Sequence, residues 1–144
     1  MTDQAVLPAP CGLHCGMCPL HQALSDEKLR GVLSQRMNIP LEKVGCEGCR
    51  AVSGHSPVLG EPCATYLCAQ EKVVEFCSEC TDFPCLKLMP CADKADSLPH
   101  NLKVYSLTLR KLKGEQTWNK LIGQLYSLYH RGKMVIGKGP ASQN

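Results

Sequence analysis

Residues 11–19 read Cys-Gly-Leu-His-Cys-Gly-Met-Cys-Pro and contain the first of three C-x-x-C pairs in the chain. The pairs are Cys15 with Cys18, Cys46 with Cys49, and Cys77 with Cys80. In total, 11 of the 144 residues are cysteine. A chain without a secretion signal uses this many paired thiols mainly to hold metal ions. Because the cysteine count is odd, at least one thiol would stay outside any intramolecular disulfide framework, which also favours metal over disulfides.

A structural zinc site takes four ligands in a tetrahedron, and one C-x-x-C turn supplies two thiolates from a tight loop. The first two pairs therefore predict a first set of ligands: Cys15, Cys18, Cys46 and Cys49. The third pair predicts a second set together with two isolated cysteines: Cys68, Cys77, Cys80 and Cys85. Cys11 and Cys63 are alternative ligands, and Cys91 is expected not to bind. The predicted cofactor is Zn²⁺, with about two ions per chain.

Iron–sulfur ligation is the main alternative for the metal. Cys11, Cys15 and Cys18 have the C-x-x-x-C-x-x-C spacing that resembles the cluster loop of radical-SAM enzymes, and all-thiolate ligation suits a [4Fe-4S] cluster. Those enzymes build a large partial barrel around the loop, for which 144 residues are too few. His14 lies between Cys11 and Cys15, where it could bind the metal or hydrogen-bond to a ligand.

Residues 1–97 are predicted to form a cysteine-rich metal-binding module of irregular loops and short helices. Pro19 favours the start of one short helix, and Ser25 is a plausible N-cap for a second helix over residues 26–38. A third helix is expected within residues 63–74, and Pro84 is expected to begin a short helix that stops before Pro90. Helices this short need external fastening, which metal ligation would provide.

Residues 98–144 are predicted to form a basic helical segment and tail. One helix ends at Gly114 and has an apolar face of Leu102, Tyr105, Leu109 and Leu112. A second helix ends at Gly132 and has an apolar face of Trp118, Leu121, Ile122, Leu125, Leu128 and Tyr129. Residues 134–136 favour a short strand, and residues 137–144 a mobile tail. The predicted fold class is a small metal-rich α protein: irregular zinc-knuckle loops with short helices, followed by a C-terminal helical hairpin and a short strand-like tail. The hairpin is expected to pack on the module as one compact domain.

Charge is distributed unevenly along the chain. Residues 1–99 carry 8 Lys/Arg and 12 Asp/Glu, whereas residues 100–144 carry 8 Lys/Arg and only Glu115. The basic segment makes nucleic acid a conceivable partner. Docking on an anionic thiolate module or a solvated helix face is favoured over it, because Trp118, Tyr126 and Tyr129 lie on or beside apolar faces and are expected to be core residues.

The cysteine order also resembles that of a known family. Residues 11–19, then Cys46-Glu-Gly-Cys49, then Cys68, and finally residues 77–85 are similar to a family of cysteine-rich bacterial and archaeal proteins, catalogued as a domain of unknown function with expected zinc binding. The resemblance covers roughly residues 8–90. It implies a metal–thiolate protein and supports Cys11 and Cys63 as possible ligands, and it offers no substrate.

Together these features predict a metal-thiolate protein with structural zinc sites that acts as a binding or adaptor module for an unidentified protein partner. Alternatives are an iron–sulfur protein in electron transfer or as an accessory enzyme, and a protein for metal sequestration or delivery. A catalytic role of its own is not favoured, because no Ser-His-Asp order, Walker loop or G-x-G-x-x-G motif is present. The first ten residues lack signal-peptide features and no apolar run reaches membrane-span length, so a cytoplasmic location is expected and no membrane association.

Overall fold

The structure is a computed structural model that describes residues 8–90 and 99–142. These residues form five α-helices: α1 (Pro19–Gln22), α2 (Glu27–Met37), α3 (Ala64–Glu71), α4 (Lys103–Lys113) and α5 (Glu115–Arg131). Two short strands, β1 (Lys133–Val135) and β2 (Gly139–Ala141), complete the regular structure of this part of the chain. The protein is therefore small and mostly helical, with 4% strand, as the sequence predicted.

The contacts divide the described residues into two compact units. The first unit comprises residues 8–10 and 14–76. The second comprises residues 11–13, 77–90 and 99–142. The predicted division at residue 97 and the predicted docking of the helical segment on the module stay predictions.

Helix boundaries in the first unit follow from local capping chemistry. Pro19 occupies the first turn of α1, as predicted. The predicted N-cap of α2, Ser25, is wrong: the side chain of Asp26 caps the helix by accepting a hydrogen bond from Leu29 N at 3.0 Å. Both residue types cap well, and the carboxylate also stabilises the positive helix end. The helix ends at Asn38, which takes the left-handed conformation at φ 51°.

A small apolar core joins α1 and α2 to the loop that precedes the second cysteine pair. Its buried members are Leu20, Ala23, Val44 and Cys46. The partly buried residues packed against it are Cys18, Leu29, Leu33, Met37, Ile39 and Val52. Two cysteines thus form part of this core, so their thiols are partly shielded from water.

The elements around the last cysteines are shorter than predicted. Helix α3 spans eight residues of the expected 63–74 range. In place of the helix expected from Pro84, a 3-10 turn forms at Leu86–Leu88, and the Phe83–Pro84 peptide bond is cis. Leu88 is 1% exposed, so this turn still places one apolar side chain in the core.

The second unit is built on helices α4 and α5. A single residue, Gly114 at φ 85°, connects them, and the two helices pack against each other. Gly132 follows α5, where a Cβ atom would clash with the Leu128 carbonyl. Both helices and both glycine ends confirm the predictions. Strand β1 pairs antiparallel with β2, so the prediction of a strand is confirmed, whereas the prediction of a mobile tail is wrong for residues 139–141.

The buried face of α4 differs from the predicted one. Tyr105 and Leu112 are 58% and 73% exposed, whereas the buried residues of the helix are Lys103, Ser106 and Leu107. The prediction assumed that apolar residues mark the buried face. It was wrong because the Ser106 hydroxyl is hydrogen-bonded inside the core, which removes the cost of burying it. On α5 the prediction is confirmed for Trp118 and Ile122, and Tyr126 is buried as well.

The prediction that Cys91 does not bind lies outside the described residues. Within residues 8–90 and 99–142, no helix is long and apolar enough to cross a membrane.

Candidate metal centre

The first cysteine pair is held by a 3-10 turn at Cys15–Met17 that leads into α1. His14 caps this turn, because its Nδ1 atom accepts a hydrogen bond from Gly16 N at 3.0 Å. Burial, followed by the nearby His21, lowers the pKa of His14, which favours the neutral ring that this hydrogen bond requires. The sequence predicted either metal ligation or a supporting role for His14, and the structure gives its Nδ1 atom a role in shaping the first loop.

The second cysteine pair lies against the first. Cys46 N donates to Leu20 O at 3.1 Å, and Cys49 N donates to the Cys15 sulfur at 3.4 Å. The His21 Nδ1 atom lies 2.9 Å from Cys46 O. Because a carbonyl oxygen can only accept, Nδ1 carries the proton in this contact. His21 thus joins the helix that follows the first pair to the backbone of the second pair.

The sulfur atoms of the two pairs interact with one another, and we call Cys15, Cys18, Cys46 and Cys49 the first thiol group. A hydrogen bond from the Cys49 thiol is the main reason that the pKa of Cys15 is lowered to about 6, with smaller contributions from the Cys49 N–H, His21 and Arg50. Burial raises the pKa of Cys18 and of Cys46, and the charge on Cys15 raises both further. The group therefore favours a single thiolate, at Cys15, over several adjacent ones.

Backbone N–H groups point at the sulfurs of this group. The Cys18 sulfur accepts from the N–H groups of Leu20 and His21, and the Cys46 sulfur accepts from Gly48. Such donors favour the thiolate form, because they place positive charge next to sulfur. Each cysteine of the first thiol group thus has another sulfur or a backbone donor beside it.

Arg50 follows Cys49 directly and fixes the ends of the first unit. Its Nε atom donates to Pro8 O at 2.8 Å, and one terminal nitrogen donates to Glu75 O at 2.7 Å. Its guanidinium carbon also lies 5.2 Å from the centre of the Phe76 ring. The same cation lowers the pKa of Cys15, so one side chain both stabilises the unit and favours negative charge in the first thiol group.

The remaining described cysteines are distributed over the two units. Cys63 and Cys68 belong to the first unit, at the N-cap and in the body of α3. Cys11, Cys77, Cys80 and Cys85 belong to the second unit. The predicted second set, which takes Cys68 with the last three of these, stays a prediction. All ten described cysteines are present as thiols rather than disulfides.

Cys11 enters the second unit through its neighbour Gly12, which is anchored to α4. The buried Ser106 hydroxyl donates to Gly12 O at 2.7 Å and accepts from Trp118 Nε1 at 2.9 Å. Gly12 has φ 90°, and a Cβ atom there would lie 2.8 Å from Leu107 Cγ. Only glycine fits this close approach and this backbone conformation.

No three Cys, His, Asp or Glu side chains within the described parts of the chain already stand in an arrangement that could hold a metal ion. The first thiol group is therefore a set of adjacent thiols whose side chains would have to turn toward a common ion. Sequence reasoning identified these four cysteines but missed Arg50, His21 and Ser106. The only signals for them were adjacency to Cys49, a position three residues after Cys18, and a polar residue within an otherwise amphipathic helix.

The fold and the thiols define a small, cysteine-rich, mostly helical protein with two cysteine pairs brought together in one unit. The chain belongs to the family described as "Protein of unknown function (DUF3795)", which matches residues 7–90. This match confirms the resemblance drawn from the cysteine order, and it stops before α4 and α5. No curated protein matches the chain. No solved structure matches it either.

Proposed function

We propose that the chain is a metal–thiolate protein in which the first thiol group holds one structural Zn²⁺ ion. One observation carries this proposal: the sulfur atoms of Cys15, Cys18, Cys46 and Cys49 interact as one group although the two pairs are far apart in sequence. Four thiols from two C-x-x-C loops are the donor set of a closed, tetrahedral zinc site. The zinc-knuckle character predicted for these loops is part of the same proposal.

The backbone around the cysteines supports a knuckle. The sulfurs of Cys18, Cys46 and Cys80 each accept a hydrogen bond from the N–H two residues later, and for Cys80 the distance to Asp82 N is 3.4 Å. The recurrence shows that the backbone curls around the sulfur in the same way at one cysteine of each pair. A sulfur supported in this way retains electron density that it can share with a metal ion.

Nearby positive charge would offset the charge of the loaded site. Four thiolates around Zn²⁺ carry a formal charge of about −2. Arg50 and His21 both act on Cys15 as positive neighbours. The ion would also remove the mutual repulsion that now raises the pKa values of Cys18 and Cys46, because each thiolate would then face a cation.

The role proposed for the ion is structural. The core of the first unit has only four buried members, and two of the four proposed ligands belong to that core or pack against it. Structural zinc contributes about 10–16 kcal/mol of binding free energy in small domains, which equals or exceeds the whole stability of a typical domain. Removal of the ion is therefore expected to unfold the first unit.

The experiment is metal analysis of protein purified under reducing conditions, combined with replacement of zinc by Co²⁺. We expect bound zinc in the wild type and, with Co²⁺, the visible absorption of a tetrahedral all-sulfur site. Cys46→Ser should lose one ion, whereas Cys63→Ser, which changes a cysteine of the same unit outside the first thiol group, should keep it. Wild-type protein that binds no metal, or a Cys46→Ser variant with unchanged metal content, would contradict the proposal.

The same purification, carried out without air, separates the alternatives. A [4Fe-4S] protein would be brown and would bleach on reduction. Zinc is favoured because a cluster loop of the C-x-x-x-C-x-x-C type uses all three cysteines together, whereas Cys11 groups with the second unit and Cys15 and Cys18 with the first. A protein for metal delivery would show sub-stoichiometric, rapidly exchanging metal. A reduced thiol site is also consistent with a cytoplasmic location.

The adaptor role is proposed for the basic helices, with an acidic protein surface as the partner. The last turn of α4 carries Arg110, Lys111 and Lys113, beside the exposed Leu112. The aromatic residues Trp118 and Tyr126 are buried, so they are not positioned to stack on bases. Fluorescence anisotropy with labelled single-stranded and duplex DNA tests this choice, because tight binding with a steep salt dependence would favour nucleic acid instead.

A further inference from the structure

We propose that the second unit contains its own metal site, in which Cys11, Cys77, Cys80 and Cys85 bind a zinc-like ion against helix α4. This inference goes beyond the proposed function, because it shares no ligand with the first thiol group. It replaces Cys68 by Cys11 in the second set. Four steps support it: where Cys11 is held, where the third pair is held, which charges surround them, and how the cysteines divide between the units.

Cys11 is held on α4 from one side. It is 9% exposed, and the residue after it is bound by the Ser106 hydroxyl at 2.7 Å. Ser106 and Trp118 are each 1% exposed, so water does not compete for this contact. The absence of a side chain at Gly12 lets the loop lie directly on Leu107. The backbone at Cys11 is therefore fixed by the core of the helical pair.

The third pair is held on the same helix about one turn further along. Helix α4 contacts the 3-10 turn Cys77–Glu79, and Lys111 Nζ donates to Ser78 O at 3.2 Å. Ser106 and Lys111 are five residues apart, or about 7.5 Å along the helix axis. Helical side chains lean toward the N-terminus, which brings the Lys111 contact back toward Ser106. The loops of Cys11 and Cys77 thus lie on neighbouring turns of one helix.

The third pair and Cys85 form one compact loop. Cys80 N donates to Cys77 O at 3.1 Å, which closes the C-x-x-C turn, and Phe83 N donates to Cys80 O at 3.2 Å. The Cys80 sulfur accepts from Asp82 N, the same N–H to sulfur contact as at Cys18 and Cys46. Cys85 caps the turn that places Leu88 in the core. Three thiols therefore come from one tightly turned segment, and Cys11 supplies the fourth.

The surrounding charges suit an anionic metal–thiolate centre. Lys103 lies on the turn of α4 that carries Gly12, where its carbonyl oxygen would be 3.1 Å from a Cβ atom at Gly12, and its side chain is buried with 8% exposure. Lys111 approaches the third pair directly. Burial of an ammonium group is costly unless negative charge balances it. Four thiolates around one divalent ion would supply that charge, and soft thiolate ligands select zinc or similar ions.

The division of the cysteines decides between Cys11 and Cys68 as the fourth ligand. Cys77, Cys80 and Cys85 lie in the unit that also contains Cys11, whereas Cys68 lies in α3 of the other unit. A site with Cys11 is complete within one unit. The two sites would then use eight of the ten described cysteines and leave Cys63 and Cys68 outside both.

The test is the zinc content of the full chain and of single variants, measured on folded protein under reducing conditions. The wild type should hold about two ions per chain, and Cys80→Ser and Cys11→Ser about one each, with the loss confined to one site. Cys68→Ser is the matched control and should keep both ions. Loss of an ion in Cys68→Ser, or two ions retained in Cys11→Ser, would overturn the inference.

Failure of this inference can be distinguished from failure of the proposed function. A wild type with one ion that Cys46→Ser removes would leave the proposed function intact and overturn the second site. One ion that Cys80→Ser removes and Cys46→Ser does not would do the opposite. If the serine variants do not fold, Cys11→His and ¹¹³Cd NMR decide: the histidine should move one cadmium resonance from an all-sulfur to a mixed sulfur–nitrogen position. Two unmoved resonances would overturn the site.

Discussion

Ser106 offers the sharpest test of the anchoring argument, because its hydroxyl joins α5, α4 and the Cys11 loop. The hydroxyl donates to Gly12 O at 2.7 Å and accepts from Trp118 Nε1 at 2.9 Å, and all three residues are buried. The substitution Ser106→Ala removes one small polar atom and deprives both partners of this hydrogen bond. Because solvent cannot enter, each partner would have to keep its polar group buried without it.

The expected loss follows from those two groups. A buried donor or acceptor left unsatisfied costs about 1–3 kcal/mol. Two such groups predict that Ser106→Ala lowers the free energy of unfolding by about 2–4 kcal/mol, or the Tm by about 6–12 °C. Trp118 is the only tryptophan, so its fluorescence during urea unfolding reports on this contact directly.

Ser127→Ala is the matched control, since Ser127 is exposed on α5. This variant should change the free energy of unfolding by less than about 0.5 kcal/mol. If Ser106→Ala is equally mild, the hydroxyl does not anchor the loop and the reasoning about Cys11 loses its main support. A large loss in Ser106→Ala with an unchanged slope of free energy against urea would confirm it.

Three further predictions concern the first unit. In metal-free protein, the thiolate absorbance should show one group that ionises near pH 6, and Cys15→Ser should abolish it; no ionisation below pH 8 would contradict the lowered pKa of Cys15. Because that folded-state pKa lies below the model value of 9.0, the thiolate's contribution to stability should be complete above about pH 9 and lost as the pH falls toward 6. Arg50→Lys should lower the free energy of unfolding by about 1–3 kcal/mol, because a lysine cannot reproduce both the Pro8 and the Glu75 contact; in urea unfolding the exposed Arg36→Lys serves as control, and equal stability of the two variants would count against the clamp. Chelation of the metal should abolish the far-ultraviolet circular dichroism of the first unit and restore it when zinc returns, whereas an unchanged spectrum in metal-free protein would show that the ion is not structural.

The sequence predicted the elements that local chemistry controls. Pro19 begins α1 and the glycines at 114 and 132 end α4 and α5, because proline and glycine act through the backbone of their own turn. The N-cap of α2 was predicted one residue too early, since Ser25 and Asp26 are both good capping residues. The second strand was missed because residues 139–141 contain glycine and proline, which are rare in strands.

The buried face of α4 could not be predicted, because burial of Ser106 depends on two partners that are distant in sequence. An apolar pattern marks the face that avoids water only when no polar side chain finds a partner inside. Here Gly12 lies 94 residues away and Trp118 lies on the next helix.

The sequence alone determined that this is a small, mostly helical protein with closely spaced thiols, because spacing and composition are properties of the chain itself. The tertiary structure decided which thiols meet. It brings Cys15, Cys18, Cys46 and Cys49 into one interacting group and places Cys11 with Cys77, Cys80 and Cys85 in the other unit. The physical reason is that Gly12 binds to α4 through a buried hydrogen bond, whereas the turn capped by His14 leads into α1. Cys11 and Cys15 are four residues apart, but these contacts assign them to different units.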